Sequence, residues 1–206
     1  MPLSLIGAGT LGFVEPVKST CVDLLEYVNS WRREPTTIDD YLQYVPLASV
    51  YGLSLLGAEA KHNYVDRTLE VGVAGVALVG IVGGAKYLID KERPDGSDFN
   101  SFPSGHAAKV FMGAELVRIE YGDDHPWLAV GAYTIATATG ALRVYNNHHW
   151  ISDVVAGAGV GILSARIGYW LLPYTKRVMH HVTGWQMFVT PTASSTGAAL
   201  NAVVRF

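Results

Sequence analysis

Three short clusters of polar residues interrupt an otherwise apolar chain. The first is Lys86 with Arg93-Pro94, the second Pro103-Ser104-Gly105-His106, and the third Arg143 with His149 and Asp153. Their side chains suit phosphoryl chemistry. A phosphate in transfer spreads negative charge over its equatorial oxygens. Two guanidinium forks, Arg93 and Arg143, can grip such oxygens bidentately, and Lys86 adds a point charge. A helix beginning at Ser104 would offer free N–H groups and the positive end of its dipole to an anion. Gly105 would let that backbone approach closely, and Ser104 can donate its hydroxyl.

His149 and Asp153 are four positions apart, so at a helix start they share one face. Asp153 can then take the proton on one imidazole nitrogen and free the other to attack phosphorus. His106 can protonate the leaving oxygen and later accept a proton from the hydrolytic water. The reading therefore assigns His149, His106 and Asp153 to catalysis, and Lys86, Arg93, Ser104, Gly105 and Arg143 to phosphate binding. Each residue alone has an ordinary explanation as a snorkelling lysine, a surface pair or a helix start. Their joint order and spacing favour one pocket.

The elements that must position these residues read as helices. Amphipathic spacing predicts a helix over 17–33, stopping before Pro35. Residues 37–44 read as a short helix or turn ending at Pro46, and 47–60 as an apolar segment. A long Gly/Ala-rich helix is expected over 67–90, then a loop at 91–96 full of breaker residues. Further helices are expected over 104–121, 127–144 and 149–172, the last ending at Pro173. The clusters fall at helix ends and in loops, where a pocket in a bundle would open. The tail divides from the rest at about 184. Residues 185–190 and 200–206 read either as a hairpin or as a loosely ordered extension.

The chain has 206 residues, enough for one sizeable core, and 16% of them are charged. Soluble domains average about 25%, so this composition leans toward a membrane-seated bundle. Segments 68–89 and 154–174 approach the length of a membrane span. Residues 127–142 are short for one, and Lys109, Glu115, Arg118 and Glu120 make the 104–121 helix poor for lipid contact. The small-residue content suits close helix packing. A net charge of -3 without a basic run excludes a nucleic-acid partner. Cys21 is the sole cysteine, so neither an internal disulfide nor a Cys-based zinc site is expected. The apolar residues 1–13 lack the basic residues of a secretory signal.

On these three clusters the chain resembles the type 2 phosphatidic acid phosphatase and vanadium haloperoxidase superfamily. The resemblance covers residues 86–153. One departure is Leu142, where the family usually has Ser, and it bears on substrate-pocket detail. His148 adjoins His149, but the spacing to Arg143 and Asp153 selects His149. The resemblance implies an all-α bundle of about six main helices, transmembrane in the lipid-phosphatase branch. It implies a hydrolase that works through a phosphohistidine, with no cofactor and no metal. Expected substrates are phosphorylated membrane lipids of the phosphatidic acid, phosphatidylglycerol phosphate, isoprenoid diphosphate or lipid A class. The expected place is the bacterial inner membrane, multi-pass, with the active site facing the periplasm or exterior. A soluble acid phosphatase on small esters and a vanadate-dependent haloperoxidase are the alternatives.

Overall fold

The computed structural model describes residues 1–31, 34–183, 186–194 and 197–205. Among them the chain forms eight α-helices and one β-hairpin: α1 (Pro2–Thr10), α2 (Val17–Trp31), α3 (Ile38–Leu42), α4 (Val45–Leu55), α5 (Tyr64–Leu88), α6 (Gly105–Tyr121), α7 (Pro126–Tyr145), α8 (Ile151–Thr183), β1 (Gln186–Ser194) and β2 (Gly197–Arg205). The all-α bundle expected from the sequence is therefore present.

Local sequence explains the boundaries. Asn63 caps α5 by accepting from the N–H groups of Val65 and Asp66. Ser104 caps α6, and Pro126 opens α7 at a position where its missing N–H costs nothing. Asn147 takes a left-handed conformation (φ 63°), which turns the chain from α7 into α8.

Helix α6 is the centre of the bundle. Residues along its whole length are buried, including Val110, Met112, Leu116, Val117 and Tyr121, and α4, α7 and α8 pack around it. Two of the charges that made this helix unsuited to lipid, Glu115 and Glu120, are buried in protein instead. Glu115, fully buried, receives Arg118 at 2.8 Å, Arg166 of α8 at 2.9 Å and the Tyr133 hydroxyl of α7 at 2.5 Å. Close approach of α8 to α6 depends on small residues. A Cβ on Gly157 would lie 2.5 Å from the Ser104 carbonyl oxygen.

The helix pattern differs from the sequence reading in several places. Residues 2–10 form α1, which lies on α8 so closely that a Cβ on Gly9 would sit 2.5 Å from the Ala156 Cβ. Helix α8 does not stop at Pro173 but continues to Thr183. A proline forfeits one backbone hydrogen bond, and the continued helix carries Lys176 to within 2.7 Å of Asp66 on α5. Helix α4 ends at Leu55, and Gly57 (φ 94°) begins the loop to α5. The tail is the antiparallel hairpin, Gln186 facing Arg205 and Ser194 facing Gly197. The expected strand ends at 185 and 206, the expected helix end at 33 and the division at 184 lie outside the described residues.

Helices α5 and α8 are long and apolar enough to cross a membrane. Less than a quarter of the apolar stretch of α5 is buried in the bundle, and Val76 and Val79 point outward, whereas more than half of that of α8 is buried.

Candidate active site

The three sequence clusters meet at one end of the bundle, where α5 and α7 finish and α6 and α8 begin. The loop 89–104 crosses this end. Its hydrogen bonds from Lys91 N to Phe99 O, Arg93 N to Asp98 O and Ser101 N to Lys91 O fold it back on itself. Ser104 N donates to the Asp153 carbonyl at 3.0 Å, joining the second cluster to the third.

His149 lies almost wholly buried between α7 and α8. Its Nδ1 is 2.8 Å from the main-chain carbonyl of Ser101, so Nδ1 carries the proton and donates it there. Nε2 is left with its lone pair. Burial pushes the imidazole below its ordinary range, and Arg143 and Arg93 push the same way, while Asp153 opposes them. The ring is thus a neutral base in the field of both guanidiniums. Arg93 is steadied by Asp98 at 2.8 Å. Lys86 Nζ donates to the Asn100 carbonyl, which fixes the end of α5 to the same loop.

Asp153 does not hold His149 as the sequence reading expected. Its Oδ2 is 3.8 Å from Nδ1, outside hydrogen-bond reach. Oδ2 instead accepts from Ser101 Oγ at 2.5 Å and Trp150 N at 3.1 Å, and Oδ1 from Lys91 Nζ at 2.7 Å. Asp153 therefore fixes the Ser101 segment whose carbonyl fixes His149. Lys91 was missed because sequence spacing gives no hint of a partner 62 residues away. Its ammonium also lies 4.6 Å over the Phe13 ring, tying the N-terminal segment to the site.

A second correction concerns carboxylates. The sequence suggested a pocket built from cations. Yet Asp39 and Asp40, in the first turn of α3, reach into it. Buried Asp39 accepts from Arg143 Nη1 at 2.6 Å and from Asn146 Nδ2 at 2.9 Å. Arg143 Nη2 donates to His148 Nδ1 at 3.1 Å, and its buried Nε has no partner among the described residues. His106 Nε2 donates to Asp40 Oδ1 at 3.1 Å. Burial and the Arg143 charge lower His106 to about 4, against the pull of Asp40. An acidic pair in a five-residue helix was the available signal, but only the fold shows that it faces Arg143. Ser104 keeps its hydroxyl oxygen on the Ala107 N–H at 3.4 Å, and Gly105 opens α6 beside it.

An apolar groove of about 920 Å³ runs down the bundle from this end. Leu142 and Val144, which flank Arg143, line it together with Trp31, Tyr145 and Val155.

Comparison with known proteins points to a family. The family model described as PAP2 superfamily matches residues 87–177, a span that holds Arg93, Ser104, Gly105, His106, Arg143, His149 and Asp153 and begins one residue after Lys86. The lipid A 1-phosphatase of Porphyromonas gingivalis is 38% identical over 162 residues, 78% of this chain and 36% of that protein. The bacitracin transport permease protein BcrC of Bacillus licheniformis is 35% identical over 74 residues, 36% of this chain and 34% of that protein. The chain thus spans about a third of the length of these curated relatives. Among solved structures, Aquifex aeolicus LpxE superposes with a TM-score of 0.57 at 19% identity, covering 72% of this chain and 94% of that one, which is a likeness of fold. The motifs gathered at one end of the helix bundle lie in the span that the PAP2 superfamily model matches, and together with the Porphyromonas relative this match supports the type 2 phosphatidic acid phosphatase superfamily.

Proposed function

We propose that this chain is a membrane-seated lipid phosphatase that transfers the phosphoryl group of its substrate to His149 and then to water. The observation that carries this reading is the His149–Ser101 contact, which presents an unprotonated Nε2 in the field of Arg93 and Arg143. In the first step the Nε2 lone pair forms the N–P bond, the P–O bond to the lipid breaks, and the leaving oxygen takes a proton from His106. In the second step water attacks phosphorus, gives its proton to His106, and the N–P bond breaks to release inorganic phosphate. Arg93, Arg143, Lys86 and the N-terminus of α6 hold the equatorial oxygens. The donors expected to face the phosphate include Arg143 Nε, which is unpartnered among the described residues. Asp40 must yield its hold on His106 when the substrate enters. The added negative charge then raises His106 from about 4 toward a value at which it is protonated.

The apolar groove beside Arg143 supports a lipid over a small soluble ester, since acyl chains could lie along Leu142 and Val144. The exposed apolar face of α5 supports seating in a bilayer. We place the chain in the bacterial inner membrane as a multi-pass protein with this pocket toward the periplasm or exterior. Similarity to a protein named lipid A 1-phosphatase makes a lipid A phosphate the first substrate to try.

The test is a phosphate-release screen in detergent with lipid A, phosphatidic acid, phosphatidylglycerol phosphate, isoprenoid diphosphate and p-nitrophenyl phosphate. Release from a lipid that survives EDTA and is inhibited by vanadate is the expected result. Release from p-nitrophenyl phosphate alone would favour the small-ester reading, and strict dependence on magnesium would overturn the mechanism.

A further inference from the structure

The opposite end of the bundle holds a second cluster that the phosphatase chemistry does not use. His62 precedes α5, Glu70 lies in its second turn and Glu120 is the penultimate residue of α6. One ligand atom from each lies within 4.8 Å of the others. The 16 residues from Glu70 to Lys86 place this cluster about 24 Å from the phosphate-binding end at 1.5 Å per residue.

Glu70 is the unusual member. Its side chain is 1% exposed, and neither carboxylate oxygen has a hydrogen-bond partner among the described residues. Its Oε2 points toward His62 Nδ1 at 3.9 Å. The fully buried Glu120 carboxylate stands beside it, with Oε1 2.7 Å from His62 Nδ1 and Oε2 accepting from His62 N at 3.0 Å. The neighbouring cations are engaged elsewhere. Lys61 pairs with Asp123 at 3.7 Å, Lys176 with Asp66 at 2.7 Å, and Arg67 Nη1 donates to the Val50 carbonyl, Ser54 and Tyr121. Two buried carboxylates thus face a single imidazole, and buried charges persist when they are paired or coordinate a metal.

We propose that His62, Glu70 and Glu120 form a divalent-cation site of the zinc type, which fastens the α4–α5 loop to α5 and α6. One imidazole nitrogen and two carboxylate oxygens form a three-ligand set open to a water or another ligand. A zinc ion would replace the proton now shared between His62 Nδ1 and Glu120 Oε1, and would give Glu70 the partner it lacks. Tetrahedral zinc needs ligand atoms about 3.3 Å apart, so the widest separation must close by about 1.5 Å, which rotation about the Glu70 side chain can supply. The loop is already set for this, since Lys61 N donates to the Glu120 carbonyl at 2.9 Å. Hard cations such as magnesium favour more oxygens than this set offers. The ion would take no part at His149.

The experiment uses the full chain in detergent, stripped with EDTA and carrying His180→Ala and His181→Ala so that the paired histidines near the end of α8 cannot bind. Isothermal titration with zinc chloride should show one equivalent per chain, with a rise in Tm that follows zinc concentration. Glu70→Gln and, separately, His62→Gln should each weaken zinc binding by about 10-fold or more. Glu70→Gln should equal or exceed the stripped parent in Tm, because it removes a buried unpaired carboxylate. Phosphate release by both variants should match the stripped parent, which shows that they are folded. The proposal is overturned if the parent takes up no zinc, if Glu70→Gln binds zinc as well as the parent, or if magnesium or calcium binds in preference.

Discussion

His149 donates its Nδ1 proton to the main-chain carbonyl of Ser101 across 2.8 Å. A carbonyl can only accept, so this contact sets the tautomer whatever the state of the nearby carboxylate. Asp153, 3.8 Å away, supplies field and scaffold but not the tautomer. Asp153→Asn should therefore lower kcat by about 10- to 100-fold, short of the roughly 10⁴-fold that a wrong tautomer costs a triad histidine. Lys91→Met should produce a loss of the same order, because it leaves buried Asp153 without its cationic partner in the same network. Steady-state phosphate release checks both, and a loss of about 10⁴-fold in Asp153→Asn would show that the carboxylate orients the ring directly.

The two histidines divide the chemistry. His149→Ala should abolish acid-stable trapping of labelled phosphoenzyme. His106→Ala should spare p-nitrophenyl phosphate, whose leaving group needs no proton, and slow lipid phosphate esters by about 10²- to 10⁴-fold. Rapid quench with labelled substrate separates the two variants. Label retained on His149→Ala would place the nucleophile elsewhere.

Both histidines bind protons more weakly in the fold than in the unfolded chain. His149 is held below the ordinary 6.5 chiefly by burial, and His106 is lowered to about 4 by burial and Arg143. The unfolded chain therefore binds more protons below the ordinary 6.5, for His106 down to about 4, so stability rises with pH across that window and falls as pH drops through it. Tm measured in detergent from pH 4 to 7.5 should show this slope. It should flatten in His149→Gln and His106→Gln, and an unchanged slope in both would refute the account.

Glycines in the bundle are not equivalent. Gly157→Ala places a methyl 2.5 Å from the Ser104 carbonyl oxygen, and neither backbone can yield without moving the start of α6. It should cost about 1–3 kcal/mol of stability and reduce kcat as well. Gly72→Ala on α5 meets nothing within 4 Å and should stabilise by about 0.5–1 kcal/mol with activity unchanged. Thermal melts beside phosphate-release assays compare the pair.

Asp39 sets Arg143 at 2.6 Å from inside the pocket. Asp39→Asn keeps a hydrogen-bond acceptor but removes the charge that competes with the phosphate for the guanidinium. KM for a lipid phosphate should change several-fold while the apo protein loses stability, and unaltered values of both would exclude contact in solution.

The sequence alone determined the helical bundle and set the candidate pocket residues at helix ends and in the loops between them. These follow from periodicity, breakers and caps, which act over a few residues: Ser104 caps α6, Asn146 and Asn147 end α7, and Arg93, Arg143 and His149 occur at spacings that a helix or tight loop converts into position. The expected end of α8 at Pro173 failed because a local rule met a tertiary gain, the Lys176–Asp66 pair. Likewise α6 reads as too charged for its place, yet Glu115 is fully buried because Arg118, Arg166 and Tyr133 surround it. Only the tertiary structure decided that Ser101 rather than Asp153 fixes His149, that Lys91 holds Asp153, and that Asp39 and Asp40 meet Arg143 and His106. Each of these contacts joins residues tens of positions apart in the chain. No local propensity encodes such a meeting, because it exists only after the helices have packed and buried polar groups have had to find partners where the packing left them.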